Sequence, residues 1–289
     1  MRRIAMLLLV ACACSSADTV PDSPSPENRR AVAAKACPAV TKPFFYSLTK
    51  DGKTSYLLGT RHASVGLAKF PAAVREAFEK ASVLVVESDL QTHRETQQDT
   101  IEHVLGPEDF ARYRKLVGKQ IADAVNRNGI QSAAASIVLL YEDFDQSVDL
   151  ELLKSARMAK REVVFLEDEA ETATIANNLL GATQVRKMLD IARTRAVIAQ
   201  STEHDLALYC AGEWESSALA SLAQPAVLGR NEKWIERLDK LATERDGVFI
   251  AVGNSHVIGM TGLIDMLQKR GYKLARNPEL PTTNAGSAP

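Results

Sequence analysis

Val248-Phe249-Ile250-Ala251-Val252-Gly253-Asn254-Ser255-His256 is an apolar run that stops at a glycine and reaches a histidine three residues later. An unbroken apolar run of this length marks a strand buried on both faces, the kind found in parallel sheets. Downstream, Leu263 to Arg270 reads as a helix, Gly271 sits where a C-cap glycine belongs, and Tyr272-Lys273-Leu274 reads as a further strand. Upstream, Val83-Leu84-Val85-Val86 repeats the buried-strand pattern, and Glu162-Val163-Val164-Phe165-Leu166 interrupts a stretch that is otherwise helical. Nearer the start, Phe44-Phe45-Tyr46-Ser47-Leu48 and Thr54-Ser55-Tyr56-Leu57-Leu58-Gly59 flank Lys50-Asp51-Gly52-Lys53. Asp-Gly between two β-rich runs is a strong hairpin signal. Pro71 then opens a helix with Val74, Ala77, Phe78 and Ala81 on one stripe. From Pro107 to about Thr243 the period is mainly helical, as in Ile137, Leu140 and Phe144, in Leu152, Leu153 and Ala156, and in Trp234, Leu238 and Leu241. The expected fold is α/β, with a mixed β-sheet core at both chain ends and a long, mostly helical middle.

Polar residues stand where these strands end. Gly59-Thr60-Arg61-His62 leaves the second hairpin strand, Glu87 leaves Val83–Val86, and Gly253-Asn254-Ser255-His256 leaves the last buried run. Ligands of α/β sheets sit beyond the carboxyl ends of strands, so both Gly-x-x-His elements and the carboxylate are candidates for one crevice. Two imidazoles and a carboxylate are also a metal-ligand set with positions left for water. Glu167 follows its strand in the same way and ranks next. The bland alternative is that each histidine merely caps its strand, since Gly-x-x-His is a cheap pattern. His204, inside the Gln200–Tyr209 helical run, reads as a surface or core histidine. His93 and His103 fall in a polar stretch after Leu90 that reads as a flexible flap.

The ends carry different signals. Met1-Arg2-Arg3 followed by the short apolar run Ile4 to Ala11 reads as a signal peptide over residues 1–11, too short to span a bilayer. Leu9-Val10-Ala11-Cys12 looks like a bacterial lipobox, which makes Cys12 the lipidated residue and the membrane the first partner. Ala13 rather than an aspartate after that cysteine suits sorting to an outer membrane, facing the periplasm or the cell surface. Residues 12–35, rich in Ser, Pro, Asp, Arg and Ala, read as a disordered tether, residues 36–280 as one domain, and 281–289 as a flexible tail. Cys37 and Cys210 are left outside the signal region and are expected to pair in an oxidising compartment. The net charge of −1 offers no basic excess for nucleic acid.

Phe45-Tyr46-Ser47-Leu48 … Tyr56-Leu57-Leu58-Gly59-Thr60-Arg61-His62, Phe70-Pro71 … Val85-Val86-Glu87-Ser88-Asp89-Leu90, and Val248 to His256 with Gly262-Leu263 and Arg270-Gly271-Tyr272 together resemble the TraB/GumN family. Val148-Asp149-Leu150, Lys160 to Glu167 and Gly229-Arg230-Asn231 resemble the family's intervening segments, the last of them an Arg-Asn helix start. The resemblance covers about Phe44 to Arg276. It is similar in turn to the Tiki proteins, membrane-tethered metal-dependent proteases that clip secreted signalling proteins. It therefore implies a hydrolase of peptide or protein substrates, with His62, Glu87 and His256 as catalytic and metal-binding residues, Glu87 as third ligand or as general base, and manganese, cobalt or zinc as the divalent metal. Arg230 and Asn231 would orient the substrate or a ligand carboxylate; the bland alternative for them is a helix N-terminus packed against the sheet. Arg61 departs from the family's usual apolar residue; it would repel a metal unless it points away or binds a substrate carboxylate. Two other readings stay open: a lipid-anchored binding protein without turnover, and a metal-independent hydrolase in which a histidine, helped by Glu87, is the base.

Overall fold

Asp51 and Gly52 both take positive φ, 51° and 76°, the geometry a two-residue hairpin turn demands. They join β1 (Phe45–Lys50) to β2 (Lys53–Thr60) in antiparallel register, with Lys50 opposite Lys53. The computed structural model describes residues 25–89, 99–168, 171, 181–192, 194–213, 218–259 and 261–277. β5 (Val248–Gly253) lies parallel to β2, β3 (Val83–Val86) parallel to β5, and β4 (Glu162–Phe165) parallel to β3, while β6 (Lys273–Arg276) closes the far side antiparallel to β1. The result is one six-stranded mixed sheet in the order β4-β3-β5-β2-β1-β6. β3 and β5 are buried along their whole length, because both are interior strands covered on two faces. The α/β class, with strands in the early and late parts of the described residues and helices between, is as the apolar runs indicate.

The helices are α1 (Pro26–Ala36), α2 (Ala72–Lys80), α3 (Ile101–Leu105), α4 (Pro107–Val117), α5 (Lys119–Val125), α6 (Ile130–Val138), α7 (Val148–Met158), α8 (Ala182–Ile191), α9 (Arg195–Ala211), α10 (Ala218–Glu244), α11 (Asn254–Val257) and α12 (Leu263–Lys269). The expected stripe of α2 is buried against the sheet, and Phe78 meets the Phe249 ring edge-on at 5.5 Å. α7 packs on β3 and β4, and α10 on β2. A second apolar core gathers Ile101, Tyr113, Ala134, Tyr141 and Val185 among α3, α4, α6 and α8. Among the described residues no helix is long and apolar enough to cross a membrane.

Three expectations change. The tether expected over 12–35 gives way at Pro26 to α1. Ser25 caps it by accepting from the Asn28 amide at 3.3 Å, and proline occupies its first turn, where no donor is lost. Val32 and Ala33 are buried, so a segment of polar composition still has enough apolar contact to order. Cys37 and Cys210 lie at disulfide distance, with Cα atoms 5.7 Å apart, and fix the end of α1 to α9. His103 belongs to α3 rather than to a flap, because Ile101 and Leu105 anchor that turn in the second core. The stripe Ile137, Leu140, Phe144 is not one helix: α6 ends at Val138, and Phe144 is exposed. Glu142 and Asp143 are drawn instead to Ser64, whose hydroxyl donates to Glu142 at 2.5 Å and accepts from the Asp143 amide at 2.8 Å. The signal segment, Cys12, His93 and the tail 281–289 lie outside the described residues.

Candidate active site

Because β2, β3, β4 and β5 run parallel, the residues that follow them emerge along one edge of the sheet. His62, Glu87, Glu167 and His256 therefore meet, as the strand-end argument anticipates. The Gly253 amide donates to Glu87 Oε1 at 2.5 Å. A Cβ at Gly253 would lie 3.0 Å from both that oxygen and His62 Nε2, so the glycine makes room for the two side chains to come together over the end of β5.

His256, on the single turn α11, is buried against the Trp234 ring with centroids 4.3 Å apart. Asn231 donates its amide hydrogens to the carbonyls of His256, at 3.0 Å, and Thr261, at 2.9 Å. Its oxygen is thereby left to accept from His256 Nδ1–H at 2.7 Å. That assigns the tautomer: Nε2 carries the lone pair, and Arg230 Nη1–H donates into it at 2.9 Å. Burial first, and the Arg230 and His62 charges after it, outweigh the pull of Glu87 and lower the imidazole to about 4. His256 is a neutral acceptor at physiological pH.

Arg230 ties the cluster together. Nε and Nη2 donate to the two oxygens of Glu167 at 2.6 and 2.9 Å, and Nη2 also reaches Glu87 Oε2 at 2.8 Å. The guanidinium lies over Trp234 at 4.7 Å. Burial works against its charge, but Glu167 and Glu87 more than offset that and raise it. Burial likewise opposes the Glu87 carboxylate. His256 once protonated in acid, His62, Arg230 and the Gly253 amide nonetheless hold it down at about 2.

His62 is the open member, with 58 % of its side chain exposed. Nδ1 lies 3.2 Å from Asp149 Oδ2, while Asp149 Oδ1 accepts from Thr60 at 2.7 Å. The protein packed around the ring's inner edge would by itself lower this imidazole, although its outer edge is open; the charge and hydrogen bond of Asp149, then Glu87, push it up to about 9. The turn that carries it is clamped. Arg61 pairs with Glu142, the Ser64 amide donates to the Asp143 carbonyl at 2.8 Å, and Val65 bridges to Ser147 just before α7.

Several residues stand differently from their expected roles. Arg61 is taken up by the buried Glu142 rather than by the cluster. Arg230 and Asn231 lie inside α10 rather than at a helix start. Asn231 is completely buried, so it orients His256 and does not touch a substrate. Asp149 is invisible to the strand-end argument, because it lies 87 residues from the histidine it holds. Its trace was only the Val148-Asp149-Leu150 segment of the family pattern. Nor does the arrangement fit a divalent metal between His62, Glu87 and His256. Arg230 fills the His256 lone pair and engages both carboxylates, and a fixed cation at that point repels another. Among the described residues no group of three or more His, Cys, Asp or Glu is gathered as a metal site.

The TraB/PrgY/gumN family model matches residues 44–276. No curated protein and no solved structure matches the chain. The matched span runs from the residue before β1 to the last residue of β6, taking in every side chain of the cluster: the chain belongs to the TraB/PrgY/gumN family.

Proposed function

We propose that this protein is a hydrolase of peptide or protein substrates, held at the cell envelope by a lipid on Cys12, and that His62 moves the protons without a metal. The observation that carries the reading is the Asp149–His62 pair. Asp149 holds Nδ1–H, and the free Nε2 faces the crevice beside Glu87 with over half of the side chain open to solvent. Neutral His62 would take a proton from water at Nε2 while the hydroxide attacks the scissile carbonyl. The same proton would return to the amine as the C–N bond breaks. Glu87, ionised at any physiological pH, would stabilise the imidazolium formed between the two transfers. Because His62 is charged below about 9, the base form grows as pH rises to that value. The envelope location rests on Leu9-Val10-Ala11-Cys12 and on a cysteine pair suited to an oxidising compartment. The peptide class rests on the resemblance to membrane-tethered proteases.

The test is peptide-library cleavage by the exported chain, with and without a chelator, across pH 6 to 10. The expected result is turnover that survives chelation and rises toward pH 9. His62→Ala should lower it by roughly 10²–10⁴-fold. Activity lost to the chelator and restored by manganese or cobalt would overturn the metal-free route. Stoichiometric peptide binding without cleavage would replace the enzyme by a binding protein.

A further inference from the structure

The cluster around Arg230 has the composition of a metal site. Glu87 arrives from the end of β3, Glu167 from the end of β4 and His256 from α11, and all three turn their acceptor atoms to one guanidinium, at distances of 2.6 to 2.9 Å. His256 offers Nε2, and its Nδ1–H is held by a side chain that is itself fixed by two carbonyls. That outer hydrogen bond is how proteins orient a histidine that ligates a metal. Carboxylate and imidazole are both ligand types that zinc accepts, and carboxylate suits manganese. Without a cation the two carboxylates, 15 % and 3 % exposed, would repel one another in a desolvated place.

We infer that Arg230 is the resident cation of this site: its guanidinium takes the place of a divalent metal among Glu87, Glu167 and His256 and keeps metal ions out. A metal and Arg230 are thus alternatives for one set of ligands. A chain shortened at this position is a metal-binding protein. The inference stands apart from hydrolysis, since no step of catalysis enters it.

Wild type and Arg230→Ala would be compared for bound Zn²⁺ and Mn²⁺ by equilibrium dialysis, and for the metal dependence of the thermal midpoint. Wild type is expected to bind no stoichiometric metal and to show no shift. Arg230→Ala is expected to unfold at a lower temperature and to regain much of the loss on adding metal. Asn231→Ala in that background should weaken binding by roughly 10–100-fold, and His256→Ala should abolish it. Stoichiometric metal in the wild type overturns the inference, and that measurement does not depend on any variant folding. A folded Arg230→Ala that takes up no metal overturns it equally. Metal-free wild type that cleaves no peptide leaves the inference intact and removes the hydrolase reading alone.

Discussion

A methyl group added at Gly59 would sit 2.3 Å from Asn254 Oδ1 and 3.1 Å from the Phe44 β-carbon. Asn254 is buried, and its amide has no hydrogen-bond partner among the described residues, so it has little reason to stay and little room to leave. Gly59→Ala is therefore expected to cost about 1–3 kcal/mol by overpacking, read as a lower urea midpoint at unchanged slope. An unchanged midpoint would mean that the amide moves aside freely. A second residue-scale effect is acid sensitivity. His256 has a folded pKa of about 4, below the ordinary 6.5, so folding favours its neutral form. The stability this contributes is complete above about pH 6.5 and is lost as pH falls toward 4, by on the order of 3 kcal/mol. Glu87 adds a loss in the same direction lower down, from 4.5 toward 2. His62 runs the other way: its contribution is complete below 6.5 and disappears as pH rises through about 9. Urea titrations between pH 4 and 7 check the first of these, and His256→Gln should flatten the slope.

The strands and their polar exits could be read in advance because each is a local pattern. Val83–Val86 and Val248–Val252 are apolar without interruption, Asp51-Gly52 names its own turn, and Glu167 and His62 follow from where a strand must stop. What stayed hidden depended on distance along the chain. The strand order places β5 between β3 and β2 only once the sheet is assembled. Glu142 finds Arg61 across 81 residues, and Asp149 finds His62 across 87. Arg230 is singled out by the family pattern, but its reach into the crevice from mid-helix is a property of how α10 packs rather than of its neighbours in sequence. α1 was obscured by its polar composition, since only Val32 and Ala33 of its eleven residues are buried. That thin contact makes α1 dependent on the Cys37–Cys210 pair. Cys37→Ser is expected to cost about 2–5 kcal/mol and to speed amide exchange over Pro26–Ala36. Unaltered protection there would show that packing alone secures the helix.

Across the whole molecule, α1 belongs to both cores at once. Ala33 and the neighbouring Cys37 pack into the sheet's core, while Val32 joins the helical one. Its ion pairs, Arg30 with Asp145 at 2.8 Å and Lys35 with the half-buried Glu203 at 3.1 Å, lie at the surface and contribute little. The crevice stands on the sheet, and the clamp on its His62 turn comes from the segment between α6 and α7, which borders the helical core. The site is thus set where the two packing units meet. The cysteine pair also decides how the protein answers a mechanical load. A pull on the amino-terminal end passes along α1 to Cys37 and then crosses a covalent bond to Cys210, which lies 173 residues further on. Tension is shunted into α9 before it reaches β1, the strand that a direct pull would peel from between β2 and β6. The hairpin that leads to His62 is therefore shielded from drag on the chain that precedes it, and α1 is the part that stretches first.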